Sequence, residues 1–188
     1  MEYMGDRYYW NNKFEQRNDI PLNPEKSLVE NIKYLKNGSV LDVACGDGRN
    51  SLFLLQNGFK VTGVDFSDKA LERLKRFAKT NKYFIEVKQA DLMKPDSLDD
   101  MGIYDNIVIN HYRLAKQQIY NIKNNLSDKG VLFVCGFGYK HKVDNKIREC
   151  DLIQPEDFEG IKESFELLKY IENEDERGFF TTYIFRKK

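Results

Sequence analysis

The stretch Val40-Leu41-Asp42-Val43-Ala44-Cys45-Gly46-Asp47-Gly48-Arg49-Asn50-Ser51 is the part of the 188-residue chain best suited to hold a small ligand. An apolar run enters a Gly-x-Gly turn, and an amphipathic segment leaves it. Glycine lets the backbone take positive φ and approach a ligand closely. The helix that opens there presents unpaired N–H groups. One apolar run later, Val61-Thr62-Gly63-Val64-Asp65 places a carboxylate at a strand end. Both oxygens of a carboxylate can accept hydrogen bonds, which suits two vicinal ribose hydroxyls, and the spacing of about 20 residues matches a nucleotide-binding unit. A Gly-x-Gly turn alone is common; combined with an acid ending the next strand it is a much more specific signal.

A second group, His111-Tyr112-Arg113, follows the apolar run Ile107-Val108-Ile109-Asn110. Ligands of open α/β sheets bind at the carboxyl ends of the strands. His111 is suited to act as a base near neutral pH, and Arg113 to attract an anionic acceptor. The other reading is that His111 and Tyr112 pack beneath the N-terminal segment and Arg113 lies on the surface.

The elements that must carry these residues follow from periodicity. From Ser39 onward, short apolar runs alternate with amphipathic stretches, the pattern of βαβ units in a parallel sheet. Strands are expected at Val40–Ala44, Lys60–Asp65, Tyr83–Gln89, Tyr104–Asn110 and Val131–Cys135. Helices are expected at Arg49–Asn57, at Asp68–Lys79 with Ser67 as N-cap, and at Lys116–Leu126, followed by a turn over Ser127–Gly130. The ending differs: Ser164–Glu172 and Phe179–Phe185 read as a hairpin around the charged turn Glu174–Gly178, which makes the last strand antiparallel. Before this core, about 35 residues rich in Tyr, Trp and Asn read as one or two helices able to cover the ligand edge.

Two nucleotide ligands fit a glycine turn followed by an acid. A dinucleotide fingerprint usually has a third glycine-like residue where Ser51 stands, and its fold continues into a second βαβ half. This chain closes with a hairpin. S-adenosylmethionine has no phosphate and so less need of a phosphate cradle.

At these residues the chain resembles the class I S-adenosylmethionine-dependent methyltransferases. Leu41 to Ser51 followed by Asn57-Gly58-Phe59-Lys60-Val61-Thr62-Gly63-Val64-Asp65 is similar to the tellurite-resistance and thiopurine-type branch. The resemblance implies an α/β, Rossmann-like methyltransferase sandwich: a seven-stranded, mostly parallel sheet with a C-terminal antiparallel hairpin strand and helices on both faces. It implies a single domain over residues 1–188, with 1–38 as a helical lid and 39–188 as the core. Its cofactor would be S-adenosyl-L-methionine. Ala44, Gly46 and Gly48 would line the methionine and ribose part, Asp65 would hold the ribose hydroxyls, and Phe66 would lie against the adenine face. Asp91 would accept from the exocyclic amine while Leu92 offers its backbone N–H. Asn110 ends the fourth strand, where the backbone meets the methionine amino group. Arg49 meets the cofactor carboxylate or an anionic acceptor, or is a solvated first-turn residue. Trp10, beside Tyr9, falls in the segment that folds over the cofactor in this family, unless the aromatic pair only docks the chain end.

Composition narrows the acceptor. Thirty basic residues balance thirty acidic ones, so no long-range field draws the chain to nucleic acid or an anionic membrane. The tail Arg186-Lys187-Lys188 is a short basic run of the kind that is usually solvated. No apolar stretch is long enough to span a bilayer, and Met1 to Trp10 has no apolar core of an export signal. Cys45, Cys135 and Cys150 form neither a disulfide framework nor a zinc pattern, consistent with reduced thiols in the cytoplasm. Asn110-His111-Tyr112-Arg113 lacks the prolines of the Asn/Asp-Pro-Pro-Tyr tetrapeptide common in DNA and protein amide methyltransferases. There is no metal-binding motif, and His141, between Lys140 and Lys142, reads as solvated. The expectation is methyl transfer to a small acceptor, such as a thiol or chalcogen oxyanion, by a monomer or homodimer. The rivals are a non-catalytic S-adenosylmethionine sensor or scaffold and a nicotinamide-dependent oxidoreductase.

Overall fold

A computed structural model describes residues 6–188. One seven-stranded sheet runs in the order β3-β2-β1-β4-β5-β7-β6. Its strands are β1 (Ser39–Val43), β2 (Lys60–Asp65), β3 (Glu86–Gln89), β4 (Tyr104–Asn110), β5 (Leu126–Phe137), β6 (Phe165–Asp175) and β7 (Gly178–Lys187). The first five pair in parallel, and β7 runs antiparallel between β5 and β6. This is the expected Rossmann-like methyltransferase architecture.

Both faces are covered. On one, Leu28 of α2 (Lys26–Asn31) and Leu54 and Leu55 of α3 (Arg49–Gln56) pack on Val40, Val61, Val108, Phe133 and Ile184. On the other, Ile119 of α5 (Lys116–Asn121) and Phe158 and Ile161 of the 3-10 segment Pro155–Ile161 pack on Leu41, Ile107, Ile109, Leu132 and Tyr183. β4 is central and buried on both sides, which is why Ile107, Val108 and Ile109 run without alternation. α4 (Asp68–Thr80) begins where Ser67 Oγ accepts the Ala70 N–H at 3.1 Å, with Asp68 in the first turn facing the positive end of the helix dipole. Its Leu71 and Leu74 pack against Cys45.

Four boundaries differ from expectation. β3 starts at Glu86, because Tyr83 to Ile85 still belong to the exit from α4. The helix from Lys116 keeps α geometry only to Asn121 and tightens to a 3-10 turn over Ile122–Asn125. The polar residues 127–130 lie inside β5, which begins at Leu126 opposite Tyr104 and shifts register before Val131. The hairpin turn is shorter, with Glu176 and Arg177 alone between β6 and β7. The basic tail is strand rather than free chain: Lys187 Nζ donates to the carbonyls of Lys123 and Leu126. Among the described residues, no helix is long and apolar enough to cross a membrane.

Candidate functional site

Three strand tips converge at the carboxyl edge of the sheet. At the first, Ala44 (φ 55°), Gly46 (φ 55°) and Gly48 (φ 91°) turn the chain from β1 into α3. Positive φ is costly for alanine, and such strain persists only where the surroundings enforce it. Here the Cys45 N–H donates to Val64 O at 3.0 Å and Gly48 N–H to Cys45 O at 3.0 Å. A Cβ on Gly48 would fall 2.1 Å from Leu74 Cδ1, so α4 can approach only a glycine.

At the second tip, Asp65 is 5% exposed. Its Oδ2 accepts the Gly46 N–H at 2.8 Å and its Oδ1 the Ser67 N–H at 2.9 Å. Burial raises its carboxyl pKa, while the backbone N–H groups act in the opposite sense. Each oxygen retains acceptor capacity for a second donor. Phe66 follows it, half-buried, and its carbonyl accepts from Gln89 Nε2 at 3.0 Å.

The third tip is that of β4. Asn110 is buried, and neither Oδ1 nor Nδ2 of its amide has a hydrogen-bond partner. Buried amides are nearly always paired, and an unpaired one costs about 1–3 kcal/mol. This orphaned amide beside the glycine turn fits a ligand with a polar group, such as the amino acid end of S-adenosylmethionine. The next residue, His111, has φ 57° and donates its backbone N–H to Cys135 O at 2.8 Å. Tyr112 packs on the α5-side core; burial first, then the charges of Asp91, Asp151 and Asp65, pushes its phenol up to about 12. A phenol held there stays protonated at neutral pH and serves as a donor, not a base. Asp91 is exposed, with Oδ1 accepting the Met93 N–H, and Leu92 is buried.

Two arginines are more engaged than expected. Arg113 forms a two-pronged ion pair with buried Asp157 (Nε–Oδ2 2.7 Å, Nη2–Oδ1 2.6 Å) and donates to Cys150 O. It ties the β4 tip to the 155–161 segment. Arg49 donates through Nε to Asn23 O at 2.7 Å and lies 3.5 Å from Glu25, so it holds the N-terminal segment. His141 is not a solvated loop residue: its Nδ1 accepts the Phe179 N–H at 3.2 Å and its ring packs on Phe137.

The N-terminal segment lies across the glycine turn. α1 (Arg7–Gln16) brings Phe14 against Gly46, 3.4 Å from where a Cβ would stand, and Trp10 stacks on Phe14 at 5.6 Å. Asp47, between the two glycines, is buried and pairs with Arg17 at 3.0 Å and Arg73 at 3.2 Å. Arg73 also donates to the Asn18 carbonyl. Sequence reasoning named Trp10 but missed Phe14 one turn later; the i, i+4 spacing of the two aromatics was the available signal. It also missed Glu25, which meets His111 across 86 residues of chain, and Arg177, which meets Glu25 across 152, with no local pattern to announce them. Two surface depressions run along α5 and the 3-10 segments 149–151 and 155–161, away from the glycine turn, where Phe14 already sits.

Fold, turn and strand-end acid point to one class of protein, and residues 40–130 match the family described as methyltransferase domain. Among relatives, the chain is 35% identical over 123 residues to the ribosomal protein L11 methyltransferase of Dictyoglomus turgidum, covering 62% of this chain and 40% of that one. The chain thus spans about two-fifths of that relative's length. In fold it is similar to TehB from Haemophilus influenzae (TM-score 0.71, 21% identity, covering 95% of this chain and 67% of that one). It is also similar to an S-adenosylmethionine-dependent methyltransferase from Anabaena variabilis (TM-score 0.70, 17% identity, covering 100% of this chain and 96% of that one).

Proposed function

We propose that the chain transfers a methyl group from S-adenosylmethionine to a small-molecule acceptor, in the manner of the tellurite-resistance and thiopurine-type branch. The observation that carries this reading is the buried, unpartnered Asn110 amide at the β4 tip, facing the same edge as the glycine turn and Asp65. In this reading Ala44, Gly46 and Gly48 line the methionine and ribose part, and Asn110 takes the amino acid end. Asp65 uses its spare acceptor capacity for the ribose hydroxyls. Phe66 lies on the adenine face, with Asp91 and the Leu92 N–H at its polar edge. Trp10 and Phe14 close the crevice from above.

The bound cofactor supplies a methyl group on a sulfonium, already an activated leaving group. The chain's part is to orient the acceptor and exclude water; good orientation can contribute up to about 7–11 kcal/mol of barrier reduction. His111 takes a proton where the acceptor has one to lose. Tyr112, kept protonated, donates a hydrogen bond. Arg113, committed to Asp157, fixes the strand tip rather than binding an anion. A small acceptor is supported by the balanced charge and by the short connection from β4 to α5. The named substrate of the Dictyoglomus relative is a protein, so the acceptor class needs direct measurement.

The test is radiolabelled methyl transfer across thiols, tellurite, selenite, carboxylic acids and amines, with ribosomal protein and RNA alongside. Label on a small acceptor is expected. Label on macromolecules alone overturns the acceptor class. Cofactor binding with no transfer to any acceptor replaces catalysis by a sensing role.

A further inference from the structure

Behind His111 lies a side-chain cluster assembled from four distant parts of the chain. Glu25, at the start of α2, is 3% exposed, yet its Oε2 stands 2.7 Å from His111 Nε2. Arg177, from the β6–β7 turn, grips both Glu25 oxygens at 2.9 and 3.1 Å. Arg49 of α3 lies 3.5 Å away, and Asn50 Oδ1 accepts the Glu25 N–H at 2.9 Å. Asp175 of β6 shares the Arg177 guanidinium. The imidazole meets Phe180 edge-on at 5.4 Å and packs on Phe137 at 5.7 Å. It is therefore held by one nitrogen and two rings, while the side chain keeps 27% of its surface.

We infer that Glu25 is a positioning residue of the reaction: by holding His111 Nε2 it fixes Nδ1 as the free basic nitrogen at the β4 tip, so that docking of the N-terminal segment completes the base. An ionised carboxylate only accepts, so the nitrogen facing it must carry the proton. Burial alone would raise the Glu25 carboxyl, but the hydrogen bonds from His111 and Arg177 outweigh it and hold the group well below the usual carboxylate range. Glu25 is thus ionised throughout the neutral range. The proton step balances simply: the acceptor's heteroatom–hydrogen bond breaks, an Nδ1–H bond forms, and the electron pair stays on the acceptor. The imidazolium so formed faces the Glu25 carboxylate and returns its proton to solvent. The same carboxylate belongs to the segment that spans the glycine turn, pinned by Arg49 to Asn23 O and by Arg17 to Asp47. Displacing that segment removes the group that orients the base.

This inference rests on the reading of the β4 tip as the place where the acceptor loses its proton, and it is tested separately from cofactor binding. Nitrogen-15 NMR of imidazole-labelled, cofactor-free full chain at alkaline pH reports the tautomer of each histidine, and His111→Asn identifies the His111 signals against those of His141. The wild type should show His111 with Nε2 protonated and Nδ1 in the pyridine-like position. In Glu25→Gln, where the amide can donate to Nε2, the protonated form at Nδ1 should appear. A wild-type His111 protonated at Nδ1 overturns the inference without recourse to any variant. An unchanged tautomer in a folded Glu25→Gln protein overturns it as well. S-adenosylhomocysteine titrated into the same samples keeps the two questions apart: its failure to bind refutes the methyltransferase reading, whereas the tautomer alone judges Glu25.

Discussion

The Gly46 N–H donates to Asp65 Oδ2 at 2.8 Å, so the acid ending β2 is bonded directly to the turn that ends β1. The carboxylate proposed to receive the ribose therefore also braces the loop beneath it. Asp65→Ala removes both functions. S-adenosylhomocysteine affinity should fall by about 1–3 kcal/mol, the usual value of hydrogen bonds to a charged group. Equilibrium dialysis of the labelled ligand reads the loss, and unchanged affinity removes Asp65 from the site.

Gly48 has φ 91° and no room for a Cβ, with Leu74 Cδ1 only 2.1 Å from that position. Gly48→Ala combines backbone strain of about 1–3 kcal/mol with displacement of a buried leucine. Urea unfolding should show a loss of at least 2 kcal/mol on the order of these two effects together. A loss under about 0.5 kcal/mol, the range of a neutral surface change, would contradict this account of the turn.

The Arg113–Asp157 pair makes a contrasting prediction. Asp157 is buried and its partner retains 23% of its side-chain surface. Arg113→Ala leaves the carboxylate with the Gln154 N–H alone and should cost roughly 2–3 kcal/mol, below the ~3–5 of a fully buried pair because water reaches the arginine. Arg113→Met with Asp157→Asn, which keeps an acceptor for the Gln154 N–H while removing both charges, should recover part of that loss. Thermal unfolding of the single and double variants decides between a brace and an anion-binding role.

Asp42, on β1, accepts from Ser51 Oγ at 2.6 Å and is also bonded by the Ser51 backbone. Burial pushes its carboxyl up to about 7, the Ser51 hydrogen bond opposing and Asp65 adding to the rise. The folded chain therefore holds a proton that the unfolded chain releases near its ordinary value of 3.8. Stability falls as pH rises from about 4 to about 7 and the penalty is then constant. At about 1.4 kcal/mol per unit, the penalty above pH 7 is on the order of 4 kcal/mol. Asp42→Asn, which keeps an acceptor for Ser51, should gain on the wild type between pH 5 and pH 8 in denaturant titrations. A pH-independent difference would contradict the burial argument.

Local pattern made much of the frame legible. β4 and β2 stand where an uninterrupted apolar run and a strand-end acid placed them, and Ser67 caps α4 as its hydroxyl and position imply. Periodicity was weaker where tertiary pairing decides. Residues 127–130 look like a turn by composition, but pairing with β4 draws them into β5. His141 sits between two lysines, and only the β6–β7 hairpin, folding back 38 residues later, gives it the Phe179 N–H. In the site, the glycines, Asp65, Asn110 and His111 share one edge because βαβ topology puts strand tips together. The partners that fix Gly46 and His111, Phe14 and Glu25, come from remote sequence and carry no motif, as do Asp157 on Arg113 and Arg177 on Glu25.

The central claim is that the crevice between the β1 glycine turn, Asp65 and Asn110 takes S-adenosylmethionine. Isothermal titration of the full chain with S-adenosylhomocysteine, and with NAD as the competing nucleotide, tests it most directly. One saturable site for S-adenosylhomocysteine and no heat from NAD is the predicted result. Silence with S-adenosylhomocysteine, or binding of NAD at equal strength, would contradict it.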